Sequence, residues 1–208
     1  MKKVNDFILN RFTVGPMAVN CYALADTVTK DACLIDPGAD PARIKNFLTR
    51  NSLNLKFIIN THGHGDHIAA NGSFNSPVYI HALDKDFLRD PKKNLSNTFL
   101  FSIISPEASR LLEDKERLAL GGLELEVIHT PGHTPGSVSI KMDGIIFTGD
   151  ALFQGGIGRT DLGFGDEGLL LKSIRERLLV FDDETIIYPG HGEPSTIGEE
   201  RKSNPFLV

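Results

Sequence analysis

Apolar and polar positions divide the chain into short strands and a few helical stretches. Phe7 to Val14 places Phe7, Leu9, Phe12 and Val14 among polar neighbours, which predicts a half-exposed strand. Asn20 to Leu24 and Ala32 to Ile35 are short apolar runs on either side of the polar turn Asp26 to Asp31, and the three together predict an antiparallel meander. Asp36-Pro37-Gly38 breaks it. Pro41 to Asn51 carries Ile44, Phe47 and Leu48 at helical spacing, with Asp40 placed as an N-cap. Lys56 to Asn60 predicts a buried strand, Asp66 to Phe74 a short helix, Pro77 to Ile80 a strand and His81 to Arg89 a helix. Asp90 to Ser109 has no clear period and leaves Phe99, Leu100, Phe101, Ile103 and Ile104 without a partner, so a loop or lid with some apolar exposure is expected.

Strands dominate again from Glu116: Glu116 to Leu120, Leu123 to His129, Ser137 to Met142 and Ile145 to Thr148. Gly121-Gly122 and Asp143-Gly144 mark tight hairpins between them. A Gly-rich loop, Gly149 to Gly168, precedes an amphipathic helix at Leu169 to Leu179 and a last strand at Thr185 to Tyr188. Two halves of this form imply two sheets packed face to face with helices outside, an α/β layered arrangement. No linker separates them, so residues 1–208 are expected to form one domain.

Composition narrows the function. The chain has 208 residues, 40% of them hydrophobic, and a formal charge of -5, which argues against gripping nucleic acid through phosphate contacts. No apolar run reaches bilayer length, and the polar start Met1-Lys2-Lys3 is no secretory signal. Cys21 and Cys33 sit in apolar strand-like surroundings, as buried free thiols do. A cytoplasmic protein without membrane or nucleic-acid partners is expected.

The chemistry gathers at Thr61-His62-Gly63-His64-Gly65-Asp66-His67, where four ligand-type side chains fall within six residues. Extended backbone would point His62, His64 and Asp66 to one side, and the glycines allow a turn that brings in His67. So many imidazoles beside a carboxylate resist burial unless a cation joins them. Three further ligand types follow strands on Gly-bearing loops: His133 in Thr130-Pro131-Gly132-His133, Asp150 in Thr148-Gly149-Asp150, and His191 in Pro189-Gly190-His191-Gly192. Five histidines and two aspartates exceed what one tetrahedral zinc needs and suit two divalent ions with open positions. Zinc leads for nitrogen and oxygen donors, and iron or manganese accept them as well. His81 and His129 read as structural hydrogen-bonders, with His129 placed to steady the His133 loop. Arg159 reads equally as a surface partner of Asp161 or as an anion clamp.

These motifs, with Asn20-Cys21-Tyr22, Ile35-Asp36-Pro37-Gly38 and Thr130-Pro131-Gly132-His133-Thr134-Pro135-Gly136, resemble those of the metallo-β-lactamase-fold hydrolases. Within them the chain looks most like the short, single-domain glyoxalase II (hydroxyacylglutathione hydrolase) branch. Pro194 to Ile197 and Asn204 to Phe206 look like the junction to the C-terminal helical domain of longer members, a domain not expected here. The resemblance implies a four-layer αββα sandwich. It also implies that His62, His64 and His133 hold a first metal, that Asp66, His67 and His191 hold a second, and that Asp150 bridges them. The reaction so implied is hydrolysis of a small-molecule thioester such as S-lactoylglutathione by a metal-bound hydroxide, aimed by Asp66, with Arg159 meeting an anionic substrate. Thr160 and Asp161 stand where longer members carry a tyrosine, so the glutathione grip is partial. An iron-dependent persulfide dioxygenase, another ester, lactone or β-lactam hydrolase, and a non-catalytic metal-binding module are the competing readings.

Overall fold

The computed structural model describes residues 7–99 and 102–208. The polar start of the chain and the pair Leu100 and Phe101 of the expected lid lie outside the described residues. A first six-stranded sheet holds β1 (Phe7–Val14), β2 (Val19–Asp26), β3 (Asp31–Ile35), β4 (Asn54–Ile59), β5 (Val78–His81) and β6 (Arg110–Leu112) in that order. Its first three strands form the antiparallel meander, and β3 to β6 run parallel. The second sheet takes β7 (Arg117–Leu120), β8 (Leu123–His129), β9 (Val138–Met142), β10 (Ile145–Gly149), β13 (Ile186–Pro189) and β14 (Ser195–Thr196), ordered β14-β13-β10-β9-β8-β7. Between β10 and β13 lies a small hairpin of β11 (Leu152–Phe153) and β12 (Gly156–Ile157). The helices are α1 (Pro41–Arg50), the single turn α2 (Gly65–Ile68), α3 (Glu167–Ser173) and α4 (Ile197–Ser203).

Alternation along the strands explains why the sheets stack. In β2, Cys21, Ala23 and Ala25 face a core shared with Ile44 and Leu48 of α1, while Tyr22 and Leu24 face the other sheet. In β4, Ile58 joins the helix side and Phe57 and Ile59 the inter-sheet side. In β10, Ile145 and Phe147 fill the inter-sheet core, and Ile146 turns out toward Leu170, Ile174 and Ile197. Three cores therefore separate four layers, αββα. Each buried Leu or Ile contributes about 1.5–3 kcal/mol, so a strand apolar on both faces is stable only with a layer on each side. Cys21 and Cys33 lie in different cores and are free thiols. No helix among the described residues is long and apolar enough to cross a membrane.

The structure corrects several local expectations. Asp40 does precede α1, but its backbone is left-handed (φ 52°) and its carboxylate accepts from Gly15 N (3.2 Å) instead of capping the helix. The helix expected over Asp66 to Phe74 stops at Ile68 and resumes as a 3₁₀ turn, Asn71–Ser73, because Asn71 is drawn inward to pair with Asn60 (2.8 Å). His81 to Arg89 is 3₁₀ rather than α, at Ala82–Leu88. The helix expected from Leu169 starts at Glu167, capped by Asp166, which accepts from Leu169 N (2.9 Å), and ends in a π turn, Ile174–Leu178. Pro194 to Ile197, which look like the junction of longer members, lead through β14 into α4, whose Ile197 is buried in the outer core.

At the end of the sandwich away from the chemistry, Asp26 ties the sheets together. It accepts from Val28 N (2.6 Å) and Thr29 N (2.8 Å) in its own turn and from Gly122 N (2.6 Å) in the β7–β8 turn. The Thr29 and Gly122 amides, then that of Val28, hold its carboxyl below the ordinary value of 3.8. A depressed folded value gives stability that is present above the unfolded pKa and is lost as pH falls through the folded one. Thermal melts of Asp26→Ala should therefore lie several degrees below wild type at pH 7, with the gap closing below pH 3.8. Equal melting temperatures at pH 7 would show that the tie carries nothing.

Candidate metal centre

The site is built where strands end. At the end of β3 the chain turns at Asp36, a non-glycine residue with left-handed backbone (φ 52°). Its buried carboxylate accepts from Thr61 N (2.7 Å) and Thr61 Oγ1 (2.6 Å), just past β4, and bonds His67 Nδ1 at 3.0 Å. Because the Thr61 hydroxyl proton goes to Asp36, that oxygen can only accept from His62 Nδ1, 3.1 Å away. His133 Nδ1 lies 2.7 Å from the Arg159 carbonyl, which can only accept. Three rings thus spend Nδ1–H outward and aim Nε2 inward, the arrangement in which metal-binding imidazoles are oriented by outer partners.

The loops are drawn to one edge by backbone pairing. Val138 N donates to Thr61 O (2.8 Å), Gly190 N to Gly149 O (2.8 Å) and Asn20 N to Gly190 O (2.7 Å). Asn20 Nδ2 also donates to the Pro189 and Gly192 carbonyls (3.1 and 2.8 Å), and Tyr22 Oη to the Pro189 carbonyl (2.6 Å). Glycine is required at 190, where a side chain would overlap the Asp150 carboxylate and the His67 ring. The chain from Asp90 onward is pinned down as well: Asn94, Ser96 and Ser105 are buried, and the Asn94 carbonyl accepts from Gly65 N (2.8 Å). The described part of the expected lid therefore packs behind the metal motif, leaving Ile104 exposed.

All seven expected ligands come together. Three groups have ligand atoms within 4.8 Å of one another: His62, His64 and His133; His62, His67 and Asp150; and Asp66, His67 and His191. His64 Nδ1 lies 2.9 Å from His133 Nε2, and His191 Nε2 lies 3.3 Å from Asp66 Oδ2. Asp150 faces both ends: Oδ2 is 3.6 Å from His133 Nε2 and 3.7 Å from His191 Nε2, and Oδ1 is 3.5 Å from His67 Nε2. His62 Nε2, His67 Nε2 and Asp150 Oδ1 are buried without a hydrogen-bond partner. Unsatisfied buried groups are rare and costly, and these three point into one space. The donor set fits a centre of two divalent ions.

Electrostatics divide the centre. Burial, then the neighbouring imidazoles, hold His62 well below the ordinary histidine value, and burial and His133 push His64 down to about 3. Both stay neutral with lone pairs available. For His67 burial opposes the charged form, but Asp150, Asp66 and Asp36 outweigh it and raise the value well above 6.5. His191 is raised in the same way, chiefly by Asp66 and Asp150 against burial. This half of the site demands positive charge, which either protons or a metal ion can meet.

The remaining expected residues are accounted for. The Arg159 guanidinium rests on Asp161 (2.9 and 2.8 Å), both side chains well exposed, while its carbonyl holds His133. His81 and His129 stack on each other (centroids 4.2 Å, 11°), and His129 Nε2 bonds the Pro135 carbonyl (2.9 Å) in the His133 loop. Two functional residues escaped the sequence reading. Asp36 showed there as a chain breaker and within the motif Ile35-Asp36-Pro37-Gly38, with no role at the centre. Asp84, fully buried, accepts from Gly63 N (2.9 Å), Thr134 Oγ1 (2.7 Å) and Gly136 N (2.7 Å), so one carboxylate clamps the His64 and His133 loops. No spacing rule marks it within Leu83-Asp84-Lys85-Asp86.

The Metallo-beta-lactamase superfamily profile matches residues 14–191. The chain belongs to this superfamily. Like this metallo-beta-lactamase superfamily chain, the hydroxyacylglutathione hydrolase GloC of Haemophilus influenzae carries the shared sequence over most of its length: the two are 38% identical, with 90% of this chain and 92% of GloC covered. The crystal structure of the BLEG-1 B3 metallo-beta-lactamase superposes with a TM-score of 0.91 at 39% identity, covering 97% of this chain and 100% of that one. A di-iron-bound form of TTHA1623 superposes with a TM-score of 0.85 at 34% identity, covering 95% and 100%.

Metal uptake by this superfamily member should displace protons, because His67 and His191 hold theirs above the ordinary value of 6.5. Apparent affinity for zinc should therefore fall as pH drops toward and through 6.5 and rise above it. Calorimetry in buffers of different ionisation enthalpy would show proton release near neutrality, and its absence would mean the second group of ligands is not used.

Proposed function

We propose that this chain is a metal-dependent thioester hydrolase, with S-lactoylglutathione the first substrate to test. The observation that carries the reading is the uneven burial of the centre. His62 and His67 are sealed, whereas the Asp66 and His191 side chains keep 24% and 27% of their surface. Structural metal sites are closed, and catalytic ones keep an open position. The 38% identity to a hydroxyacylglutathione hydrolase supports the choice of thioester.

His62, His64 and His133 would hold one ion, Asp66, His67 and His191 the other, and Asp150 would face both. Bound there, two divalent ions (zinc, iron or manganese by the donor set) would supply an acidified water and positive charge opposite the developing oxyanion. The carboxylate of Asp66 lies at the open side, where it would accept a proton from water and orient its oxygen. That oxygen bonds the acyl carbon, the C–S bond breaks with its electron pair on sulfur, and the products are a carboxylate, a thiol and one proton. Asp36, through Thr61 and directly, keeps His62 and His67 in the tautomers that face inward. An exposed ion pair is worth about 0–1 kcal/mol, so Arg159 could exchange Asp161 for a carboxylate of an anionic substrate at little cost.

One specific observation favours a second reading, hydrolysis of a lactam, lactone or other ester: the 0.91 TM-score to a B3 metallo-beta-lactamase. The test is a panel on metal-replete protein with elemental analysis: S-lactoylglutathione, a lactone, a β-lactam, and glutathione persulfide with oxygen uptake. Thioester turnover is expected with about two metals per chain. Asp66→Ala should cost about 10²–10⁴-fold in kcat, and His62→Ala should lose metal as well. Preferred lactam turnover, a single iron with oxygen consumption, or no reaction with any substrate would each overturn the reading.

A further inference from the structure

An aromatic line leads outward from the centre. Phe87 is buried with its ring centroid 6.3 Å from that of His64, and Phe164 packs on Phe87 at 5.1 Å and 59°. Phe164 is nonetheless 43% exposed. It sits between Gly163 and Gly165 on a loop fixed at both ends to the His133 loop: the Arg159 carbonyl bonds His133 Nδ1 (2.7 Å), and Asp166 N donates to the Gly132 carbonyl (2.7 Å). Its place relative to the ligands is therefore set by two short hydrogen bonds. On the opposite flank Phe153 lies 6.3 Å from the His191 ring. Phe164 uses one face to cover Phe87 and leaves the rest in solvent, one ring removed from His64, and ligand sites are lined predominantly by apolar and aromatic side chains.

We propose that Phe164, backed by Phe87, is a specificity-determining residue that packs on an apolar acyl chain adjoining the scissile carbonyl. The inference rests on the thioesterase reading and deepens it: thioesters with a hydrocarbon acyl group are preferred over those bearing the small hydroxylated lactoyl group. Arg159 remains available for an anionic group on the thiol side, and Phe164 selects the acyl side.

The test uses the metal-loaded full chain and glutathione thioesters of acetyl, lactoyl, butyryl and hexanoyl groups. In wild type kcat/KM should climb with chain length by up to about fourfold per methylene. Phe164→Ala should make the climb shallower, lowering the hexanoyl value at least about tenfold while acetyl stays within about twofold. Phe164→Leu should keep most of the climb, which a merely structural role would not predict. A flat wild-type series, or equal losses across the series in Phe164→Ala with metal content intact, would overturn the proposal. A second readout needs no turnover: calorimetric binding of acetate, butyrate and hexanoate to the loaded protein. Hexanoate discrimination that Phe164→Ala abolishes, in a protein that hydrolyses no thioester, would sink the thioesterase reading and sustain the role of Phe164. Thioester turnover with no discrimination in either readout would do the reverse.

Discussion

The carboxylate of Asp36 is the constraint on which the centre depends. It receives a backbone amide and a hydroxyl from Thr61 and a ring N–H from His67, all between 2.6 and 3.0 Å. Through the hydroxyl it settles the tautomer of His62, and through the ring contact that of His67. Both Nε2 atoms are then forced inward, where neither finds a hydrogen-bond partner. A buried carboxylate with donors on both oxygens is held in one orientation. The left-handed turn at Asp36 is the backbone strain that goes with this placement.

The sandwich makes the arrangement rigid. Ligands come from the ends of β4, β8, β10 and β13, on two different sheets, so the centre straddles the inter-sheet core. Any sliding of one sheet on the other would separate His62 from His133 and His67 from Asp150. Two devices resist this at the site itself: Asp84 joins the His64 and His133 loops, and Val138 N joins β9 to Thr61. Asp26 does the same at the far end. The candidate ligands are thereby placed on rigid elements, while the loop after Gly158 leaves the Arg159 and Phe164 side chains exposed.

Much of this was legible in the sequence, for a physical reason. Ligands on strand-then-glycine segments carry a local signature, and that signature marked His62, His64, Asp66, His67, His133, Asp150 and His191 before any geometry was known. The two-faced apolar strands likewise required a layer on each side. The orienting roles of Asp36 and Asp84 were not legible, because their partners lie far off in the chain: Thr61 is 25 residues from Asp36, and Gly136 is 52 from Asp84. A group that orients a ligand needs reach and direction but no fixed spacing, so it leaves no pattern. Local errors had the same origin. The expected helix after Asp66 failed because Asn71 answers to Asn60, and the expected cap at Asp40 failed because its carboxylate answers to Gly15. In each case a tertiary hydrogen bond overrode a sound local preference.

The division of labour within the centre follows from where its carboxylates sit, since His67 is as buried as His62. His62 and His64 are kept neutral by burial and by the neighbouring imidazoles, so they bind a cation without competition from protons. The carboxylate-rich half behaves in the opposite way. Asp66 and Asp150 raise the proton affinity of His67 and His191, so a metal ion there must displace what the carboxylates already attract. The more open half is thus also the half whose occupancy responds to pH, and it contains Asp66, the residue assigned to water. Metal uptake and proton release are therefore coupled at one carboxylate cluster.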